Sequence, residues 1–412
     1  MIQSKINDYL LAILVFALFF VILLYKMIGF SFTDEICATA LFVLFFYAMI
    51  YSKDWKFNKI FLITLLVFLF YAVYSVIIGS NSPKAIFSDT VIQLKPYLAF
   101  FCAYQLKPCF GEPHKKLLRQ VSLLIWIVFL LPLGLASVAY PRIFELTMEH
   151  NAYYGIAVTI VSICYLYGSE FKMRDKIIFL LLLSIGIFSS KSKFYGFFAM
   201  SVFMIFFFSG ENRFRLNFRN VMIILCMIAV MAVVAWDKIS LYFFQAIMGD
   251  ADKDMIARAV LYYKMPEILQ DYFPFGSGFA SYATYSSAEY YSDLYSDYGI
   301  NNVYGLSKSF PKFISDTYYP CLAQFGYVGI ALFLMFWAHI IRKVVRAYKA
   351  GTDTQACIIV MLIVGFFAIE GTTGSTFIAQ GGFVAMMIMG IIFYELKLSE
   401  MKSDETDAAQ NN

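Results

Sequence analysis

Charged residues are scarce in this chain of 412 residues. They make up 15% of it, against about 25% in an ordinary soluble domain. Hydrophobic residues make up 61%, and apolar runs of membrane-spanning length recur along the whole chain. The composition therefore argues against a soluble globular protein and predicts an all-α, polytopic integral membrane protein whose first partner is the lipid bilayer.

Motifs for metals and nucleotides are also missing. The seven cysteines include no CxxC pair, and no two of the three histidines have the spacing of shared metal ligands on a helix. Neither a phosphate-binding P-loop nor a dinucleotide-binding glycine fingerprint occurs. We therefore expect no metal, no cofactor and no nucleic-acid partner, and we interpret the cysteines as packing residues.

The apolar blocks predict about twelve membrane spans, with one large polar loop before the last three. Their approximate positions are 9–28, 35–51, 59–79, 91–106, 117–139, 152–168, 177–189, 194–209, 220–237, 317–340, 356–370 and 375–396. The chain then divides into a membrane domain over 1–236, the large loop over 237–316, a second membrane domain over 317–398, and a polar tail over 399–412 that is expected to be disordered. The first block lacks a small-residue cleavage site after it, so we interpret it as a retained span.

Basic residues are distributed unevenly between these spans. If the N-terminus is cytoplasmic, most lysines and arginines fall in cytoplasmic segments, and the short outer loops hold only a few. This asymmetry is the positive-inside pattern of membrane proteins. It predicts that both termini are cytoplasmic and that the large loop lies outside.

The large loop is polar but rich in tyrosine, which argues against disorder. Within it, the segment 255–270 has the apolar spacing of an amphipathic helix, and Arg258 projects from its first turns. Pro274, Gly276 and Gly278 follow and are expected to end the helix and turn the chain. The loop ends at Asp316. We interpret it as an ordered cap, partly helical, over a site at the outer membrane surface.

Two lysines, Lys191 and Lys193, lie in the turn between two spans that look unusually short, the first being about 14 residues from Ile177 to Ser190. The turn is therefore expected to dip below the outer surface, where the lysines need a water-filled cavity or an anionic partner. The alternative is that they extend to lipid phosphates. A similarly short span ends at Glu370, which either faces the same cavity or begins a small-residue turn for close helix packing.

Four further residues on the outer side carry polar groups that could bind an anion or a glycan. Lys95 follows Ser88-Asp89-Thr90, which we interpret as the cap of the fourth span, and an ionisable residue one or two turns into a span is a functional candidate. The alternative is that the Lys95 side chain extends to lipid phosphates. Arg142 precedes His150 and Asn151 in one outer loop, where it either binds substrate or forms a surface ion pair with a nearby glutamate.

Several short motifs are shared with a known family. Two elements carry most of the resemblance. The first is Arg258 followed by Pro274-Phe275-Gly276-Ser277-Gly278. The second is Asp316-Thr317-Tyr318-Tyr319 followed by Gln324-Phe325-Gly326 and Gly329. Ser190-Lys191-Ser192-Lys193 resembles its Ser/basic/Ser turn, and Glu149-His150-Asn151 is a weaker match. With the span order and the large outer loop, the chain resembles bacterial O-antigen polymerases (Wzy-type) and the related O-antigen ligases.

The resemblance implies a polysaccharide polymerase of the bacterial inner membrane, with both termini cytoplasmic. Such an enzyme joins O-antigen or capsular repeat units, donated from undecaprenyl pyrophosphate, by glycosyl transfer at the periplasmic face, alongside a chain-length regulator and a flippase. In this scheme Arg258 and Asp316 are the catalytic candidates. The candidates for binding pyrophosphate or glycan are Lys95, Arg142, His150, Asn151, Lys191, Lys193, Tyr318 and Glu370. The loop tyrosines are expected to stack on sugar rings or to form an interfacial aromatic belt.

Three other functional interpretations remain open at this point. The ligase pattern has histidine where this chain has Asp316, which favours a polymerase over a ligase that moves a finished glycan to an acceptor. A lipid-linked sugar transporter or flippase would normally show repeated halves and a site at the membrane midplane, and neither is evident. A non-catalytic assembly partner would not need the outer cations.

Overall fold

The computed structural model describes residues 2–23, 33–52, 56–208 and 253–410, with the side chains of 253–255 and 402–410 left aside. This part of the chain is almost entirely helical, and no β-strand occurs in it. Six of its helices are long and apolar enough to cross a membrane, and three more apolar helices are shorter. The structure thus confirms a helical protein with several candidate membrane spans.

The helices before the large loop follow one another through short connections. In chain order they are α1 (Ile2–Leu23), α2 (Thr33–Tyr51), α3 (Lys59–Ile78), α4 (Pro83–Gln105), α5 (Glu112–Ala139), α6 (Ile143–Met148), α7 (Asn151–Tyr167), α8 (Met173–Ser184, continued by a 3-10 turn over Ile185–Ser189) and α9 (Ser192–Phe208). Those of the second half are α10 (Lys253–Asp271), α11 (Tyr285–Glu289), α12 (Leu294–Asp297), α13 (Tyr319–Ala350), α14 (Thr354–Glu370) and α15 (Gln380–Gln410).

Each predicted span except the ninth overlaps one of these helices. The ninth, over 220–237, lies outside the described residues, and so does the start of the large loop, so the total of twelve stays a prediction. The core of the described part is formed where α4 packs along α15, with α7, α9 and α14 beside them. Helix α15 continues to Gln410. This differs from the predicted disordered tail, because the residues after Ser399 include good helix formers.

The prediction that Ser88-Asp89-Thr90 caps the fourth span is wrong. Helix α4 begins at Pro83, and the hydroxyl of Ser82 accepts a hydrogen bond from the backbone N–H of Ala85. Serine at the cap with proline in the first turn is a stronger start signal than the later triplet. Asp89 instead lies fully buried within the helix, where its carboxylate accepts a hydrogen bond of 2.7 Å from the backbone N–H of Ala280 in the large loop.

The helices that flank the Lys191 turn and the helix that ends at Glu370 begin before the apolar stretches seen in the sequence. Helix α8 begins at Met173, because Asp175 accepts a hydrogen bond of 3.2 Å from the backbone N–H of Lys172 and so caps a polar first turn. Helix α14 begins at Thr354 and has 17 residues rather than 14, with Asp353 as its cap. These helices therefore extend beyond the apolar stretches of about 14 residues, but none of the three is among the helices long enough to cross a membrane, and both turns lie where they were predicted.

Within the described part of the large loop, 253–316, the structure has helix α10 where the sequence predicted a helix. Its buried face carries Ala257, Leu261, Ile268 and Leu269, whereas Tyr263 is 78% exposed. Helix α10 ends before Pro274, as predicted.

The two sequence elements that carry the family resemblance pack directly on each other. The backbone N–H of Gly278 donates a hydrogen bond of 2.9 Å to the carbonyl of Gln324. A Cβ atom added at Gly276, whose φ is +83°, would lie 2.2 Å from the backbone nitrogen of Gly326. Because the two backbones approach this closely, only glycine fits at position 276.

Two tyrosines of the loop serve as its own core. Tyr282 and Tyr295 are fully buried, with ring centroids 5.9 Å apart. The Tyr295 hydroxyl accepts a hydrogen bond of 2.9 Å from the backbone N–H of Ala283, and the Tyr282 hydroxyl donates one of 2.7 Å to the carbonyl of Leu261. These two rings hold α10 to the rest of the loop, and their burial removes them from the tyrosines that could stack on sugars.

We expect cysteine labelling to place the loop outside the cell membrane. A cysteine at the exposed Ser309 should react with an impermeant maleimide in intact cells, and one at the exposed Glu112 should react only after permeabilisation. The background needs Cys109, the exposed cysteine of the described residues, and Cys226 changed to serine. Labelling of both positions from the same side would contradict the predicted orientation.

Candidate functional site

The two predicted catalytic residues form a direct ion pair. An Arg258 guanidinium nitrogen donates a hydrogen bond of 2.7 Å to the Asp316 carboxylate, joining the first turns of α10 to the end of the large loop. The Arg258 side chain is 20% exposed and that of Asp316 is 34% exposed. Both groups are therefore held in place by one another yet remain accessible to a ligand at the outer surface of the fold.

A second ion pair links the first turn of α9 to the end of α14. Lys193 Nζ lies 2.6 Å from a Glu370 carboxylate oxygen, and the Thr376 hydroxyl donates a hydrogen bond of 2.9 Å to the same oxygen. The two charged side chains are 12% and 7% exposed. This pair confirms that Lys193 and Glu370 face one another, and it ties three separate segments of the chain together.

The third contact joins Lys191 to His150. The Nδ1 atom of His150 accepts a hydrogen bond of 3.2 Å from the backbone N–H of Ala152 and so caps helix α7. A neutral imidazole that accepts at Nδ1 carries its proton on Nε2. The Lys191 ammonium lies 3.4 Å from that Nε2, so two donors face each other there. An anionic oxygen placed between them would accept from both.

These three contacts share one electrostatic neighbourhood. Partial burial and the nearby Lys191 lower the pKa of His150 from 6.5 to about 4. Asp316 opposes that shift, whereas Lys193 and Arg258 add to it. Each of these charges therefore acts on the same imidazole, and His150 is neutral at pH 7. We call these six residues, including Glu370, the outer cluster: His150, Lys191, Lys193, Arg258, Asp316 and Glu370.

Two hydrogen bonds to backbone carbonyls hold the loop against the turn after α14. The Tyr262 hydroxyl donates a hydrogen bond of 2.8 Å to the carbonyl of Thr372, and the backbone N–H of Tyr318 donates one of 3.2 Å to the carbonyl of Gly371. The Tyr318 ring itself is buried in the core, 5.1 Å from the ring of Phe377. The backbone of Tyr318 thus lies beside the outer cluster, whereas its side chain packs in the core next to it.

The remaining candidates lie apart from this cluster or at its edge. Lys95 is buried and forms ion pairs with Asp34 and, at 3.1 Å, with Glu35, both in the first turn of α2. Arg142 is exposed at the start of α6, and no described contact joins it to the outer cluster. Asn151 is the first residue of α7, next to His150. The structure therefore gathers six of the ten candidate residues in one place.

Some neighbours of the site were not identified from the sequence. Thr376 holds the carboxylate of Glu370, and Tyr262 and Thr372 fasten the loop to the membrane helices. Asp34, which lies in α2, forms an ion pair with Lys95 of α4. Only the acidic pair at positions 34 and 35 had a visible sequence signal, since acidic residues favour a helix N-terminus. The other contacts follow from how the helices pack, which leaves no local pattern.

We expect acid to destabilise the protein partly through His150. Its pKa is about 4 in the folded state, below the ordinary 6.5, so the unfolded state binds the proton more readily between those values. The stability that depends on neutral His150 is fully present above about pH 6.5 and is lost as pH falls toward 4. Between about pH 7 and about pH 5 the melting temperature should fall less for His150→Gln than for wild type. An equal fall in the two proteins would contradict a neutral His150 in the folded state.

No group of three or more His, Cys, Asp or Glu side chains in the described part of the chain is arranged to hold a metal ion. The charges of the outer cluster instead form cation–carboxylate pairs, an arrangement suited to binding an anion and accepting a proton. No protein-family model matches the chain. No characterised protein is significantly similar to it in sequence.

Proposed function

We propose that this protein is a polysaccharide polymerase. It would join oligosaccharide repeat units of an O-antigen or capsule, carried on undecaprenyl pyrophosphate, by glycosyl transfer at the periplasmic face of a bacterial inner membrane. The observation that carries the proposal is the outer cluster, in which Arg258 and two lysines meet two carboxylates where the large loop contacts the membrane helices. A chain-length regulator and a flippase would act in the same pathway.

The cations fit the leaving group of this reaction. Glycosyl transfer from a lipid pyrophosphate releases an anion with several charges, and fixed donors aimed at that anion are usually the largest catalytic term. Arg258 offers a planar fork that suits phosphate oxygens. Lys191 and His150 present two donors to one point, as described above. The pyrophosphate would therefore lie between Arg258 and Lys191.

The carboxylates fit the acceptor of the reaction. The acceptor hydroxyl oxygen bonds to the anomeric carbon of the donor sugar as the carbon–oxygen bond to pyrophosphate breaks, and that bonding pair leaves with the pyrophosphate. The hydroxyl proton needs a base within hydrogen-bond reach. Asp316 is the more exposed carboxylate of the cluster, so we assign the proton to Asp316 and a positioning role to Glu370.

Substrate binding would exchange ion-pair partners in this scheme. Arg258 is held by Asp316 in the structure. When pyrophosphate engages the guanidinium, the carboxylate is released toward the acceptor hydroxyl. The same exchange therefore frees Arg258 to stabilise the charge of the leaving group and Asp316 to act as a base. Both side chains are ordered beforehand by their contact with each other.

The test is polymer formation by purified protein from a lipid-linked repeat unit, read as a ladder of chain lengths on a gel. Wild-type protein and a Lys308→Ala variant, which changes an exposed loop cation outside the cluster, should both give long chains. A glycan that moves to an acceptor without lengthening would indicate a ligase. Transport of the lipid-linked unit across vesicles without any new glycosidic bond would indicate a flippase. Either result would contradict the proposal.

A further inference from the structure

A groove of about 750 Å³ separates α3 from α13, with α4 and α15 closing its inner side. Its volume falls within the range of about 300–1,000 Å³ that is typical of small-molecule sites. The groove is distinct from the outer cluster, since none of the six cluster residues lines it. It runs along most of the length of both flanking helices, from Tyr71 and Gly329 to Lys56 and Lys343.

One end of the groove is closed and apolar. There the Tyr71 hydroxyl donates a hydrogen bond of 2.7 Å to the carbonyl of Phe325, which ties α3 to the start of α13. The stretch that follows is lined by hydrocarbon and aromatic side chains such as Ile63, Val67 and Phe336. This part of the groove has the shape and surface that a hydrocarbon chain requires.

The other end of the groove is strongly basic. Lys56, Lys107, Lys343 and Lys397 all line it, and among the described residues no aspartate or glutamate does. Lys343 Nζ also lies 5.6 Å from the centre of the Phe393 ring. No ion pair involves Lys343 or Lys397 within the ranges that the structure describes. Basic residues are common at cytoplasmic helix ends, but here they surround the mouth of an apolar groove.

We propose that this groove binds an anionic phospholipid. The acyl chain would lie between α3 and α13, and the phosphate would meet Lys343 and Lys397 at the basic end. Charge complementarity and apolar lining together select an amphiphile with one anionic head. The inference is independent of the proposed glycosyl transfer, because it uses no residue of the outer cluster.

The carrier lipid of the proposed reaction fits the groove less well. Tyr318, which follows Asp316 by two positions, lines the groove at the end away from the lysines. A carrier with its pyrophosphate at the outer cluster would bring its tail in at that end and place no anion at Lys343 and Lys397. A phospholipid from the leaflet at the lysine end would place its phosphate at the lysines and its acyl chain against the apolar side chains.

Native mass spectrometry of the delipidated full-length protein tests this proposal. Phosphatidylglycerol should bind more tightly than phosphatidylcholine. The double variant Lys343→Gln/Lys397→Gln should bind phosphatidylglycerol about 30-fold more weakly, since each lysine near a membrane surface contributes roughly fivefold to anionic-lipid affinity. The matched control Lys116→Gln/Lys349→Gln removes two basic residues that lie outside the groove and should bind as wild type does.

A third variant tests the tail. Val67→Trp fills the apolar part of the groove and should weaken binding of phosphatidylglycerol while leaving the lysines intact. Equal affinity for the two phospholipids, or equal losses in the double variant and its control, would overturn the proposal. Displacement of phosphatidylglycerol by an equimolar polyprenyl phosphate would assign the groove to the carrier lipid and would overturn it as well.

Discussion

Replacing Arg258 by alanine is expected to abolish polymer formation. The guanidinium is only 20% exposed and is aligned by Asp316 at 2.7 Å, so under the proposed function it would meet the charge that develops on the leaving pyrophosphate. Removing one donor of this kind costs about 10²–10³ in rate. The measurement is the ladder of chain lengths formed by purified protein from a lipid-linked repeat unit, with the amount of folded protein checked by thermal melting.

The lysine variant separates catalysis from structure at the same position. A point charge cannot reproduce a bidentate contact, so Arg258→Lys should also lose most activity. If the pair with Asp316 were only structural, it would contribute at most about 1 kcal/mol to stability because both groups are partly exposed. Both variants would then polymerise nearly as well as wild type. Substantial polymer from Arg258→Ala would remove this residue from the active site.

The second large effect is expected at Lys193, and it combines activity with stability. Lys193→Ala would leave the carboxylate of Glu370, 7% exposed, without its counter-ion at 2.6 Å. Removing one member of a buried pair costs about 3–5 kcal/mol. The apparent melting temperature should therefore fall together with the yield of long chains. In contrast, Lys191→Ala should reduce long chains with a smaller fall in melting temperature, because its contact with the neutral His150 is not a salt bridge to a buried carboxylate.

A double variant distinguishes the two roles of Lys193. In Lys193→Met/Glu370→Gln neither charge remains, so most of the lost stability should return. Activity should stay low if the lysine contributes to pyrophosphate binding. Recovery of both stability and long chains would show that Lys193 and Glu370 act only as a link between α9 and α14. Normal polymer from a Lys191→Ala/Lys193→Ala protein would remove both lysines from the site.

The sequence by itself determined the class of this protein and the places where its helices and turns lie. Hydropathy over windows of about twenty residues decides whether a segment suits a membrane, and that property is local. The same holds for α10, whose apolar spacing is visible in 255–270, and for the turn that needs glycine at Gly276. The start of α4 at Ser82-Pro83 was also visible locally, although the sequence was interpreted as placing the cap at Ser88-Asp89-Thr90.

Only the tertiary structure decided which of the candidate charges meet. Arg258 and Asp316 are 58 positions apart, and Lys193 and Glu370 are 177 apart. Lys95, which looked equivalent to them in the sequence, is instead neutralised by two acidic residues of α2. The physical reason is that an ion pair depends on the distance between side chains across packed helices. That distance is set by the packing of many apolar residues at once, and no short stretch of sequence records it.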